Sequence, residues 1–392
     1  MIKTISTSIL LFISIHVVTS QAVSTDLLFT YEIEEQLAQG EMRSPGASYA
    51  YTFIGDYVQA IAAFDIHVSW GVDSLDLTHL DVKPAIERIV DEARNQQIVI
   101  ISESHLKPQH SIFAKELIIS LTEHGFNHLG LEAFGSDSTR EDQLSDTMLN
   151  VRGFVDFETT GYYTREPQMA DLVRTAAQSG YKLFAYEREM KLPNKTRDEM
   201  HADNFIRYLK KHPSDKFVIV CGWHHAIESK LTSRGPQRMA YYLKEKYQVD
   251  PLTVYQDNFT ERIIYNEHEI LAELRIDKPS VFVENNNQIA RLTNKVDIEV
   301  LHPKTKYISG RPGWLFQDES YKEYDLDRDL IDMELPLFLK AYKFGEQENG
   351  TPIDIIEIKQ KYDQRKLILK PGKYILRIEN KKESKDIEIL VE

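Results

Sequence analysis

The stretch Ile98-Val99-Ile100-Ile101-Ser102-Glu103-Ser104-His105-Leu106-Lys107-Pro108-Gln109-His110 sets the fold class. Four consecutive β-branched apolar residues end abruptly in a carboxylate and a histidine. A short unbroken apolar run suits a strand covered on both faces. Working outward, Leu129-Gly130-Leu131, Leu183–Tyr186, Phe217–Val220 and Val281–Val283 have the same character, and Leu252–Tyr255 shows it more weakly. Between them lie amphipathic stretches. Residues 109–124 carry Ile112, Phe113, Leu117, Ile118 and Leu121 at helical spacing and stop at Gly125. Residues 167–179 carry Met169, Leu172, Val173 and Ala176 and stop at Gly180. A glycine just past the last turn is a helix stop. Thr196 and Glu199 form a capping box for a helix running to about Lys211, and residues 236–247 repeat the pattern. Strand alternating with helix predicts α/β architecture: a mostly parallel sheet flanked by helices. Fewer than eight clear repeats favour an open or partly closed sheet over a barrel.

The flanks read differently. Tyr49–Ala63 and Pro84–Arg94 have helical texture. Asp137–Tyr163 has few apolar signals and reads as a lid or loop. Beyond about residue 330, alternating runs at 353–358, 366–369, 373–378 and 384–391 predict a small β unit over 330–392, with turns at Pro371-Gly372 and Asn380–Lys382. The α/β domain is expected over 23–300.

Met1–Lys3 followed by the apolar run Ile9–Val18 reads as a secretory signal peptide over 1–22, too short to span a bilayer. The mature chain is therefore expected to be exported, to the periplasm or beyond, without membrane insertion. The formal net charge of −14 argues against a nucleic-acid partner. The one cysteine, Cys221, excludes an internal disulfide framework and a cysteine-rich zinc site, and its apolar strand marks it as a core thiol.

Ligands of parallel α/β sheets bind beyond the carboxyl ends of the strands. The residues there are Glu103 and His105 with His110, then Glu132, then Glu187 and Arg188 with Arg197 in the next helix, then Gly222, His224 and His225. Acids, bases and a cation thus converge on one edge, where charges are costly unless paired or bound to a metal. Glu103, His105, Glu132 and His225 are candidate ligands for a divalent ion such as Mn, Zn or Co. The same carboxylate and histidine suit a general base acting on water. Arg197 in a first helical turn opposes the helix dipole, which points to a carboxylate or anionic partner. No Gly-x-Ser-x-Gly elbow, Walker A loop, His-Glu-x-x-His or Rossmann glycine motif is present, which removes the enzyme classes that depend on them.

Ser102-Glu103-Ser104-His105-x-x-Pro108-x-His110 resembles the Gly-Glu-x-His-x-x-Pro-x-His opening of the ChaN-like haem-binding uptake proteins, which share a superfamily with the erythromycin esterases and the Tiki/TraB proteases. Leu129–Glu132, Arg197-Asp198-x-Met200-x-Ala202 and Gly222-x-x-His225 resemble its later motifs in the right order, over about residues 80–260. Gly161–Pro167 and Tyr186-Glu187 resemble exported relatives from Bacteroidetes. The resemblance implies the α/β fold and selects His225 over His224. It implies a hydrolase of ester or peptide bonds acting on a small molecule or peptide, with Glu103, His105, Glu132, Arg197 and His225 as site residues. It equally implies haem or iron binding without turnover, for which Tyr162 and Tyr163 are the candidate ligands, or a degenerate scaffold. Two departures stand out. Ser102 replaces the family's first glycine, and the Glu103-x-His105 spacing is shorter than that of the erythromycin esterases.

Overall fold

The computed structural model describes residues 18–19, 27–65, 72, 76–187, 194–231, 236–263, 270–326 and 332–392. Arg188 and all of the signal-peptide reading except Val18-Thr19 lie outside the described residues.

An open eight-stranded sheet forms the main body. Its order is Asp81–Pro84, Ser280–Val283, Ile298–Leu301, Leu252–Phe259, Ile98–Glu103, Lys216–Gly222, Phe126–Leu131, Lys182–Phe184. The last six in that order run parallel. Ser280–Val283 is antiparallel to both its neighbours. The α/β class therefore holds, with a reversed strand near one edge. Ile298–Leu301 is a further strand, where the sequence reading placed none.

Ile98–Glu103 sits at the centre with every residue buried. Val99 and Ile101 pack with the helices Ala85–Ala93, Pro108–Thr122 and Pro167–Gln178. Ile98 and Ile100 pack with Arg197–Leu209 and Met239–Tyr247 on the other face. Such two-sided burial contributes about 1.5–3 kcal/mol per large apolar side chain, and it explains the run without alternation. Leaving Ile98–Glu103, the chain crosses towards Phe126–Leu131. Leaving Lys216–Gly222, it crosses back over the central strand to Leu252–Phe259. These two strands are adjacent, with Glu103 in register with Gly222. A crevice opens where neighbouring connections diverge in this way, so the carboxyl ends of these strands are where a site belongs.

Tyr49–Ala63 is two helices, Ser44–Phe53 and Tyr57–Ala63. The break falls at Gly55, whose φ of 71° suits a residue without Cβ. Asp137–Tyr163 is not a loose lid. Leu144, Leu149 and Val155 are core residues, and Arg152 pairs with buried Asp146. The polar character of the segment disguised widely spaced anchors. Past residue 330, Leu337–Lys343, Asp354–Ile358, Gly372–Glu379 and Ser384–Val391 build an antiparallel sheet, with Asn380–Lys382 in the last hairpin. Phe338 stacks on Phe29 at 4.2 Å, joining this sheet to the first helices.

Candidate functional site

The central strand carries Glu103 to its buried end, and a tight turn follows. His110 holds that turn. Its Nδ1 accepts from the Ser104 amide at 3.0 Å, and burial keeps the ring neutral by pushing its pKa well down. Its Nε2 therefore bears the proton, facing Thr260 Oγ1 at 3.3 Å. The turn folds His105 back so that its Nδ1 pairs with Glu103 Oε1, both side chains being buried. Burial alone would lower the His105 pKa, but the Glu103 charge beside it raises it; for Glu103 burial prevails and its pKa is raised. Tyr163 lies face-on against the His105 ring, with centroids 3.9 Å apart.

Glu132 is also buried. Its Oε2 accepts from the Gly222 amide at 2.5 Å, and its Oε1 from Arg197 at 2.6 Å. His225 Nε2 lies 3.4 Å from that same Oε1, while its Nδ1 meets Asp198 Oδ1 at 2.5 Å. Burial opposes charge at His225, yet Glu132 and Asp198 raise its pKa to about 10. Burial would likewise raise Glu132, but His225, His105 and Arg197 hold it well below the ordinary carboxylate range. At neutral pH the cluster is a carboxylate between an imidazolium and a guanidinium. Arg197 opens its helix because its side chain reaches back to Glu132 and Glu187, with its own half exposed. Two carboxylates outweigh the adverse dipole.

Gly222 has an ordinary backbone, φ −69° and ψ 141°. It is space that requires glycine. A Cβ there would lie 2.8 Å from His105 Nε2 and 3.1 Å from Glu132 Oε2. The next residue, Trp223, has φ 29°, a conformation costing of order 1–3 kcal/mol for a side-chain-bearing residue. Its indole N–H is buried without a partner, as is Glu103 Oε2. Unsatisfied buried groups beside a strained residue mark a functional site more often than a core.

The structure thus brings Glu103, His105, Glu132, Arg197 and His225 together. Tyr163 forms a wall against His105, and Tyr162, half exposed, packs edge-on to Tyr49 and Phe53 at the rim. Burial raises both tyrosine pKa values, opposing the phenolate form that binds ferric haem. As a metal cage the set fits poorly. Glu132 Oε1 faces a guanidinium, His225 Nδ1 is bound to Asp198, and His105 Nδ1 to Glu103. These donor atoms point at one another instead of at a shared centre, and His105 Nε2 is left over.

Sequence reasoning missed several members. Asp198 had a signal, next to Arg197 in the first turn, where an acidic residue is commonplace. Tyr49 had none; its hydroxyl bonds Tyr163 from a helix far away in sequence. Ser102 does not crowd the site. Its Oγ accepts from the Gln256 amide at 3.2 Å and its carbonyl from the Gln256 side chain at 2.7 Å, on the neighbouring strand. Cys221 is buried with its pKa pushed well up, an inert thiol.

No known protein family and no curated protein matches the chain in sequence. Solved structures similar to it include ChaN of Campylobacter jejuni, described with cofacial haem binding. It is 12% identical over 57% of this chain and 97% of that one, with a TM-score of 0.36. The type III effector HopBA1 is 15% identical over 48% and 94%, at 0.29. RRSP, a MARTX toxin effector domain from Vibrio vulnificus, is 15% identical over 63% of this chain and 48% of its own, at 0.31. Likenesses of this size say nothing about chemistry.

Proposed function

We propose that this chain is a hydrolase, acting on an ester or peptide bond of a small-molecule or peptide substrate outside the cytosol. The observation that carries the reading is the buried Glu103–His105 pair, whose free Nε2 lies beside a residue that must lack a side chain. Glu103 orients the ring and holds the proton on Nδ1, leaving Nε2 to take a proton from water. Against the effect of burial, the Glu103 charge raises the His105 pKa, so turnover should rise with pH as the ring loses its second proton. Arg197, at the mouth, holds an anionic group or the developing oxyanion, and the partnerless Trp223 indole N–H is a second donor for it. Glu132, ionised and clamped by the Gly222 amide, Arg197 and His225, fixes the cation's position. Asp198 locks His225 as imidazolium.

The test is a panel of chromogenic esters and peptides with wild type, His105→Ala and Arg197→Ala, together with a visible spectrum of the purified protein. Turnover abolished in His105→Ala with the fold intact supports the reading. Haem absorption lost on Tyr163→Phe would replace it with uptake or storage. Unfolding of every His105 variant would make the pair structural. Export is checked by fractionation of cells expressing the full chain.

A further inference from the structure

At the opposite end of the same strands, three side chains unconnected with this site face one another. His128 lies near the start of Phe126–Leu131. His212 and Asp215 flank Pro213-Ser214 in the turn leading into Lys216–Gly222. One donor atom of each lies within 4.8 Å of the other two. Asp215 Oδ2 is 3.8 Å from His128 Nδ1 and 3.6 Å from His212 Nδ1. Both gaps exceed hydrogen-bond reach. They approach the roughly 3.3 Å edge of a tetrahedron built on 2.0–2.1 Å metal–ligand bonds.

The surroundings pre-position these donors. Asp215 N–H donates to the His212 carbonyl at 3.2 Å, closing the turn around Pro213. Gln97 Nε2 donates to the carbonyls of Pro213 and Asp215 at 2.9 and 3.1 Å, tying the turn to the entry of the central strand. Asn127 Nδ2 donates to Asp215 Oδ1 at 3.3 Å, which leaves Oδ2 facing the histidines. Glu141 Oε1 lies 3.6 Å from His212 Nε2. The gap is too long for a hydrogen bond, and the carboxylate acts by its charge alone, favouring the proton on Nε2 and leaving the Nδ1 lone pair towards Asp215. His128 is buried, its ring packed against Phe217 and Tyr208. Two features oppose an ion. Asn127 Oδ1 lies 3.0 Å from His128 Nδ1, and Lys182 adds positive charge nearby. Binding would shift the His128 proton to Nε2, which is buried without a partner.

We propose that His128, His212 and Asp215 form a site for a borderline divalent ion, Zn²⁺ or Co²⁺, with water completing the tetrahedron. The ion would staple the start of one strand to the turn entering its neighbour. It is independent of the hydrolase reading.

The test uses the full-length protein stripped with chelator and titrated with Co²⁺, following the visible d–d absorption of tetrahedral cobalt. Wild type and His105→Ala should each take up one equivalent. His212→Ala and Asp215→Asn, at partly exposed positions that tolerate change, should lose it. Zn²⁺ should raise the Tm of wild type and leave that of His212→Ala unmoved. No uptake by wild type, or uptake by both turn variants equal to wild type, overturns the proposal. Loss of the signal in His105→Ala alone would also overturn it, by locating the ion at the other edge.

Discussion

Gly222→Ala isolates the close approach on which the site depends. Ordinary contact with a Cβ begins near 3.4 Å, while His105 Nε2 lies 2.8 Å from the position the methyl would occupy. The imidazole must therefore retreat by about 0.6 Å. Glu103 holds the ring at Nδ1 and Tyr163 lies against its face, so it cannot swing aside freely. The Glu132 carboxylate, 3.1 Å from the same methyl, is pushed as well. The backbone of Gly222 suits any residue, so the cost in stability is that of local overpacking, about 1–3 kcal/mol. Catalytic geometry tolerates displacements of about 0.5 Å, and 1 Å can cost ~10²-fold. Turnover is thus expected to fall roughly 10- to 100-fold while the protein still melts cooperatively. Circular dichroism gives Tm, the ester and peptide panel gives kcat, and the His105 Cε1–H resonance reports the ring directly. Unchanged turnover with an unmoved His105 resonance would show that His105 and Glu132 do not act across Gly222.

Four further outcomes are expected. In Asp198→Asn the His225 titration midpoint should drop from about 10. Because a raised histidine pKa stabilises below the unfolded value and loses its effect as pH rises through about 10, the variant should be weaker by about 1–3 kcal/mol at pH 7 and equal to wild type at pH 11, read by denaturant titration. Glu166 is buried, N-caps Met169 and has its pKa raised to about 8 by that burial. Its carboxyl binds its proton more tightly when folded, so wild type should lose stability between about pH 4.5 and 8, at up to roughly 1.4 kcal/mol per pH unit. Glu166→Gln should show a shallower fall over that window, the difference from wild type being the contribution of Glu166. Arg197→Ala leaves the buried Glu132 carboxylate short of one hydrogen bond and should cost about 1–3 kcal/mol yet lower kcat/KM by ~10²-fold; equal kcat/KM would refute its role as anion holder. Ser102→Ala orphans the buried Gln256 amide and should cost about 1–3 kcal/mol without altering kcat.

The sequence made one edge of the sheet readable because burial on both faces produces unbroken apolar runs, and each run ends where polar side chains can first reach solvent. Glu103 and Glu132 follow from that rule alone, whereas the choice of His225 over His224 came from the resemblance of Gly222-x-x-His225 to a family motif. Strand order does not, since nothing local in Lys216–Gly222 says that it inserts between Ile98–Glu103 and Phe126–Leu131. Nor does direction: Val281–Val283 reads as apolar whether parallel or reversed. The tail was readable at the Asn380–Lys382 hairpin, where turn residues are local, and unreadable at the Phe29–Phe338 stack, where the partners come from opposite ends of the chain. Tyr49 was hidden for the same reason, because a site wall is made by tertiary contact and carries no periodicity.

The Glu103–His105 pair and Glu132 come from strand ends locked by pairing on both sides, whereas Tyr162 and Trp223 come from connecting segments. Loops accept substitution and insertion more readily than the scaffold that carries them. The two halves of the crevice can therefore change at different rates. Selection can reshape what the mouth admits by altering the connections, while the proton-handling floor stays fixed by the pairing of Glu103 with Gly222. Libraries confined to Tyr162 and Tyr163 should alter substrate range at little cost in Tm, whereas libraries at Glu103 and His105 should yield mostly inactive protein.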